Sequence, residues 1–156
     1  TLDQFEDFRL IRYSQDDATF TGVEGEIRHD VNEWLNVGVF GDYVRAKFKD
    51  EGDLPRIPAA RLGARAAVAS GPWHADAEYY HVFDQKDVAA FETATPGYEM
   101  INATVAYDFD IGSFQNQVFV RGTNLLDEEA RNHASFIVNA APLRGRNFVI
   151  GLRTAF

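Results

Sequence analysis

The chain has 156 residues, 46% apolar, 13% aromatic and 25% charged, which is enough for one domain or one piece of a larger protein and too aromatic for a disordered tail. Its 24 acidic against 15 basic residues give a net charge of -9, which argues against a nucleic-acid partner, because phosphate-tracking proteins need a basic face to release counterions. The lack of Cys removes disulfides, thiolate zinc sites and thiol nucleophiles together.

The chain opens Thr1-Leu2-Asp3-Gln4-Phe5, without a basic, apolar leader, and reads as a mature or excised segment. No apolar run approaches the roughly 20 residues of a helical membrane span. What recurs instead is a period of 2, which places successive side chains on opposite faces of a strand. A first strand is expected near Phe8 to Tyr13, short and charged. The second, near Ala18 to Arg28, sets Thr19, Thr21, Val23 and Ile27 against Glu24 and Glu26. The third, near Glu33 to Lys47, sets Leu35, Val37, Val39 and Tyr43 against Asn36, Gly38, Phe40 and Asp42.

In the fourth, over 60 to 68, Leu62, Ala64, Ala66 and Val68 oppose Arg61, Gly63, Arg65 and Ala67. The fifth sets Trp73, Ala75, Ala77 and Tyr79 against His74, Asp76, Glu78 and Tyr80. The sixth, over 100 to 109, sets Ile101, Ala103, Val105, Tyr107 and Phe109 against Asn102, Thr104, Ala106 and Asp108. The seventh, Gln115 to Thr123, places Val118 and Val120 opposite Arg121 and Thr123. In the last, Gly145 to Phe156, the residues Phe148, Ile150, Leu152, Thr154 and Phe156 oppose Asn147, Val149, Gly151, Arg153 and Ala155. The prediction is an all-β, antiparallel chain of about eight strands.

The connections alternate in length. His29 to Asn32, Ser70-Gly71-Pro72 and Asp110 to Ser113 are tight turns, whereas Asp50 to Pro58, Asp84 to Tyr98 and Asn124 to Arg144 are long. Tight turns at one end and long loops at the other are the pattern of an outer-membrane β-barrel. A soluble lipocalin-like barrel, apolar inside and charged outside, produces the same alternation. Composition favours the membrane: the polar face mixes Arg, Asp, Glu, Asn, Thr and Gly, and Lys occurs only at Lys47, Lys49 and Lys86, near the long loops. Aromatics gather toward strand ends, with Trp34, Trp73, Phe109 and Phe156 near the turns and Tyr43, Phe48, Phe83 and Tyr98 near the loops, as interfacial girdles require.

Four strings then carry a family resemblance: Asp17-Ala18-Thr19-Phe20-Thr21-Gly22-Val23-Glu24-Gly25-Glu26, Leu54-Pro55-Arg56-Ile57-Pro58-Ala59-Ala60-Arg61-Leu62-Gly63, Asn124-Leu125-Leu126-Asp127, and Gly145-Arg146-Asn147-Phe148 running to Phe156. In this order they resemble the C-terminal part of a TonB-dependent outer-membrane receptor, over nearly the whole chain. The stretch from Arg121 to Phe136, followed by Ala141 to Asn147, is similar to the branch of that family assigned to zinc uptake. The resemblance implies a 22-stranded transmembrane barrel in the cell outer membrane of Gram-negative type, filled by an N-terminal plug and opened by the TonB complex. It implies active transport, with outer-membrane lipid and the barrel assembly machinery as further partners. The domain expected over 1 to 156 is then the C-terminal barrel segment without the plug, contributing wall and ligand-capture loops. An even set of eight strands is also compatible with a closed small barrel of structural role, with both chain ends on the short-turn side.

Within that picture Glu24, Glu26, Asp42, Arg61, Arg65, Asp76, Glu78, Asp108, Arg121 and Arg153 are the expected lumen-facing polar residues, either lining a conduit or pairing with one another across strands. Phe148, Ile150, Leu152 and Phe156 are the expected C-terminal insertion signal, because an extended last strand offers backbone groups for strand addition. The metal candidates are His133 and His81, with His74 behind them; Glu129 would share a face with His133 if that stretch made a helical turn. No resident cofactor is expected, only zinc as cargo. An enzyme is not expected: Gly-x-Ser-x-Gly, phosphate-loop and His-Glu-x-x-His patterns are all missing, and Ser135 beside His133 makes no triad.

Overall fold

A computed structural model describes residues 3–5, 8–10, 16–49 and 52–155. The chain forms β1 (Asp3–Phe5), β2 (Phe8–Leu10), β3 (Ala18–Asn32), β4 (Leu35–Phe48), β5 (Arg61–Ser70), β6 (Trp73–Val82), β7 (Tyr98–Ile111), β8 (Phe114–Thr123) and β9 (Asn147–Ala155). Strands β3 to β9 make one seven-stranded antiparallel sheet in chain order, so every connection is a hairpin between neighbours. The long strands reach 15 residues in β3 and 14 in β4 and β7. That exceeds the roughly 9–11 residues a tilted strand needs to cross a bilayer.

The expected first strand does not join this sheet. Its residues 8–10 pair with β1 instead, as Asp3 with Leu10 and Phe5 with Phe8, and residues 11–13 lie outside the described ones. The sheet is therefore seven strands wide and open: among the described residues β3 pairs only with β4, and β9 only with β8. A closed eight-stranded barrel does not form from these strands. An odd strand count also separates the ends of the sheet. Ala18 starts opposite Phe48 at the long-connection end, and Ala155 finishes opposite Gln115 at the short-turn end.

The short hairpins follow their residues. Gly71 and Gly112 take positive φ, 56° and 62°, in the turns β5–β6 and β7–β8, where a Cβ would be strained. The β3–β4 turn comes later than expected, at Glu33-Trp34, after a register shift between Asp30 and Asn32. Asn32 fixes it, its Oδ1 accepting the backbone N–H groups of Trp34 at 3.0 Å and Leu35 at 2.9 Å. A turn-forming Asx side chain thus overrode the more general polar signal of His29 to Asn32.

Directly paired residues share a face, so the register sorts every side chain. One face carries Val23, Ile27, Val39, Leu62, Val105, Val120, Ile150 and Leu152, and it is uncovered, with Ile27 at 71%, Ile150 at 75% and Leu152 at 64% exposure. The few buried apolar strand residues, Phe40, Ala46, Met100 and Ala106, all lie on the opposite, polar face. This inverts the usual order of a soluble sheet, in which the apolar face is the one covered.

The aromatic rim follows parity more than position. At the short-turn end Trp73 pairs with Tyr107, rings 4.7 Å apart, and Phe109 stacks beyond Tyr107 on the apolar face. At the loop end Tyr43 and Tyr79 share that face, whereas the expected Phe48 and Tyr98 belong to the polar one, because their even positions pair with Ala18 and Val82.

Candidate functional site: the polar face and its loop rim

The register places Glu24, Glu26, Asp42, Arg61, Arg65, Asp76, Glu78, Asp108, Arg121 and Arg153 on a single face of the sheet. Two polar chains cross it. In the first, Glu26 holds Arg28 at 2.8 Å and Arg65 at 3.1 Å, and Arg65 reaches Glu78 at 3.3 Å, linking β3, β5 and β6. The intervening strand β4 contributes Gly38 and Phe40 there, short and flat enough to let the Arg65 side chain pass; the guanidinium lies 4.6 Å from the Phe40 ring centroid. Arg61 caps the loop end of this group, bonded to Asp42 at 2.7 Å.

In the second, His74 meets Asp108 at 2.8 Å, Gln117 donates to Asp108 at 2.8 Å, and Arg153 donates to Gln117 at 3.2 Å. That chain runs from β6 to β9 near the short turns. Among the described residues Glu24, Asp76 and Arg121 make no ion pair with a side chain of this sheet. All these pairs are half exposed, so their effect is to fix the face's charge pattern more than to stabilise it.

The three long connections meet above one end of this face. The β8–β9 connection is clasped at its base by the Asn124-Leu125-Leu126-Asp127 string. Asn124 is 2% exposed, donates from Nδ2 to the carbonyls of Glu128 at 2.9 Å and Arg144 at 3.1 Å, and accepts the Glu128 N–H at 3.0 Å. Asp127 accepts the backbone N–H of Arg146 at 2.9 Å. Both residues have positive φ, 51° and 61°, a conformation Asn and Asp tolerate better than other side chains. The family-like motif is thus a clasp that joins the start of this loop to its end.

The β6–β7 connection is closed by the backbone pair Gln85–Thr95, and Asp84 Oδ1 accepts the Gly97 N–H at 2.7 Å while Asp84 Oδ2 meets Lys86 at 2.8 Å. These two partners hold the Asp84 carboxyl below its usual range. Gln85 Nε2 reaches across to the Ile57 carbonyl at 3.0 Å, which ties in the β4–β5 connection.

Glu92 and His133 join all three loops. Glu92 Oε1 accepts the Arg56 N–H at 2.9 Å and Oε2 accepts the Ala89 N–H at 3.1 Å. His133, buried at 5% exposure, bonds Thr95 Oγ1 through Nδ1 at 3.1 Å and faces Glu92 Oε2 with Nε2 at 3.7 Å. Between the rim and the polar face lies a cleft of ≈ 270 Å³ lined by Asp42, Arg61, Tyr98, Arg131 and His133, among others.

The sequence-derived metal candidates do not converge. Glu129 pairs with Arg131 at 2.8 Å, on an exposed part of the loop. The stretch 127–132 makes no helical turn, its start being committed to the Asn124 and Asp127 clasp, so Glu129 and His133 share no helical face. His81 sits on the apolar face opposite Glu99, and His74 belongs to the Asp108 chain. Among the described residues no three His, Asp or Glu gather to hold a metal ion. Glu92 was missed by sequence reasoning: an isolated acid in a long loop carries no local signal of its partners. Of the expected insertion signal, Phe148, Ile150 and Leu152 lie on the uncovered apolar face of the edge strand β9, and Phe156 lies outside the described residues.

Residues 2–125 match the model of the family described as TonB dependent receptor-like, beta-barrel. The chain belongs to that family. A solved structure titled "Copper transporter OprC" is similar in fold, with a TM-score of 0.79 at 18% identity over 89% of this chain. This chain spans 24% of the length of that one. The family is described as a receptor-like β-barrel, and in membrane β-barrels generally an apolar outer face meets hydrocarbon while the interior is polar.

Proposed function

We propose that this chain forms part of the wall and the outer loops of an outer-membrane receptor for TonB-dependent uptake of a metal ion or metal chelate, with zinc as the candidate cargo. The observation that carries the reading is the pairing of an uncovered apolar face with an ion-paired polar face, under three long connections gathered at one end. Water does not tolerate so large an apolar surface, whereas a bilayer requires it. The ten polar residues from Glu24 to Arg153 then face the lumen, Phe148, Ile150, Leu152 and Phe156 serve insertion by the barrel assembly machinery, and the missing wall and plug come from the rest of the protein.

Zinc rests on the likeness of the Arg121 to Asn147 region to the zinc-uptake branch, and metal cargo more broadly is supported by a similar fold in a protein titled as a copper transporter. The polar chain His74–Asp108–Gln117–Arg153 would line the inner conduit near the periplasmic turns.

The test is uptake of labelled zinc and copper by cells carrying or lacking the full-length gene, with and without TonB. Zinc accumulation that needs both the gene and TonB is the expected result. Accumulation independent of both, or a chain that stays folded and monodisperse in buffer without detergent, refutes the proposal.

A further inference from the structure

We infer that Glu92 and His133 form a two-residue binding site for a divalent transition-metal ion of the imidazole-preferring kind, within the loop cluster. Three features of the pair point this way. The first is distance: Nε2 of His133 and Oε2 of Glu92 stand 3.7 Å apart, too far for a hydrogen bond and within the span of two metal–ligand bonds of about 2.0–2.2 Å each.

The second is orientation. A ligating imidazole ordinarily has its other ring nitrogen held by an outer partner, and a ligating carboxylate is itself hydrogen-bonded. His133 Nδ1 is held by Thr95 Oγ1 at 3.1 Å, and the Glu92 carboxylate is held by the backbone N–H groups of Arg56 at 2.9 Å and Ala89 at 3.1 Å. Both side chains are therefore held in place by outer partners; one of those on Glu92, the Ala89 N–H, bonds the same Oε2 that approaches His133.

The third is charge. The Glu92 side chain is 17% exposed and the His133 side chain 3%, yet among the described residues no Lys or Arg pairs with Glu92. The nearest candidate, Arg56, gives Glu92 only its backbone N–H and lays its guanidinium on the Phe136 ring, 3.4 Å from the centroid. A largely buried carboxylate with no Lys or Arg partner favours a cation beside it. Arg61 and Arg131, in the adjoining cleft, are already taken by Asp42 and Glu129 and so do not oppose it.

Two protein ligands leave the remaining positions to water or to a chelator, which suits reversible capture at the rim; a resident structural zinc takes four protein ligands. Imidazole with carboxylate suits Zn²⁺ and Cu²⁺ over Mg²⁺ or Ca²⁺. The site deepens the uptake reading and rests on it only for its biological role.

The test is calorimetric titration of the full-length protein in detergent micelles with Zn²⁺ alone, comparing wild type with Glu92→Gln, His133→Ala and Thr95→Val. Glu92→Gln and His133→Ala should each weaken binding at least tenfold, and Thr95→Val, which removes only the outer partner, about tenfold. Unchanged affinity in both ligand variants, or a wild type that binds no Zn²⁺, overturns the site. Should the variants lose their loop structure, the ¹⁵N resonance of His133 Nε2 in the wild type decides: a large shift on adding Zn²⁺ supports the site and an unmoved resonance overturns it. Zinc bound here in a protein that performs no TonB-dependent uptake would sink the uptake reading and leave the site standing. Uptake with binding undisturbed in the variants would do the reverse.

Discussion

The ring of Phe119 covers the backbone of Gly151, its directly paired neighbour on the next strand, so closely that a Cβ at position 151 would collide with the ring. Phe40 does the same over Gly63. An Arg stacks near each ring, Arg153 at 5.0 Å and Arg65 at 4.6 Å. Two rings of the polar face thus pack on glycines, each with a guanidinium beside it. Aromatic cover of a strand glycine restores packing that the missing side chain would otherwise forfeit.

The two glycines differ in a measurable way. The atoms nearest a Cβ at 151 all belong to the Phe119 ring, which can swing away, whereas one at 63 also lies 2.8 Å from the Tyr79 carbonyl oxygen, which is backbone. Gly63→Ala should therefore destabilise by about 1–3 kcal/mol and Gly151→Ala by less. Urea titration of the protein folded into vesicles measures both; the opposite ranking would mean the ring contacts are misassigned.

Leu152 and Arg153 are neighbours on opposite faces of β9. With the apolar face toward lipid as proposed, Leu152→Arg would put a charge in hydrocarbon and should cost about 2–4 kcal/mol near midplane, while Arg153→Leu loses one exposed hydrogen bond to Gln117 and a ring contact, on the order of 1 kcal/mol. Equal losses in vesicle refolding would reverse the assignment of faces.

Asn124→Ala removes the loop clasp. It leaves the Glu128 N–H and the Glu128 and Arg144 carbonyls without their partner and puts Ala at a φ of 51°, so a loss of about 2–4 kcal/mol is expected from the two effects together. Asn124→Gly relieves the backbone strain and should recover about 1 kcal/mol of that loss. Trypsin cleavage at Arg131 and Arg144 should be faster in both variants than in wild type, and unaltered cleavage would refute the clasp.

Asp84 predicts an acid limit for the β6–β7 loop. Its carboxyl is held below the usual range first by Lys86 and then by the Gly97 N–H, so the ionised form binds more strongly in the folded loop than in the unfolded chain. The resulting stability is present above the ordinary carboxylate pKa of about 3.9 and is lost as pH falls through the lowered value. Exchange of the Gly97 amide hydrogen, corrected for its intrinsic pH dependence, should stay slow at pH 5 and accelerate in strong acid. Asp84→Asn should flatten that profile; a wild-type profile already flat would exclude Asp84 as its source.

Strand parity was legible in the sequence because it is local: each side chain's face follows from its neighbours alone, and the register agrees with the alternation in all seven strands of the sheet. The β3–β4 turn falls beyond His29 to Asn32 because Asn32 Oδ1 accepts the N–H groups of Trp34 and Leu35 and so fixes the bend at Glu33-Trp34. The helical turn imagined for Glu129 and His133 failed for the same kind of reason, since Asn124 and Asp127 commit that stretch to the clasp.

From the letters alone came the all-β class, the two-faced strands and the division of connections into short and long, which depend on spacing along the chain, and the family likeness, which rests on the four strings. Only the folded arrangement decided that the first short strand stays outside the sheet, that the sheet remains open, and that Glu92, Thr95, Arg56 and His133 meet. Those outcomes depend on which distant segments share space: Glu92 and His133 belong to different loops, and no periodicity records a contact between residues that far apart.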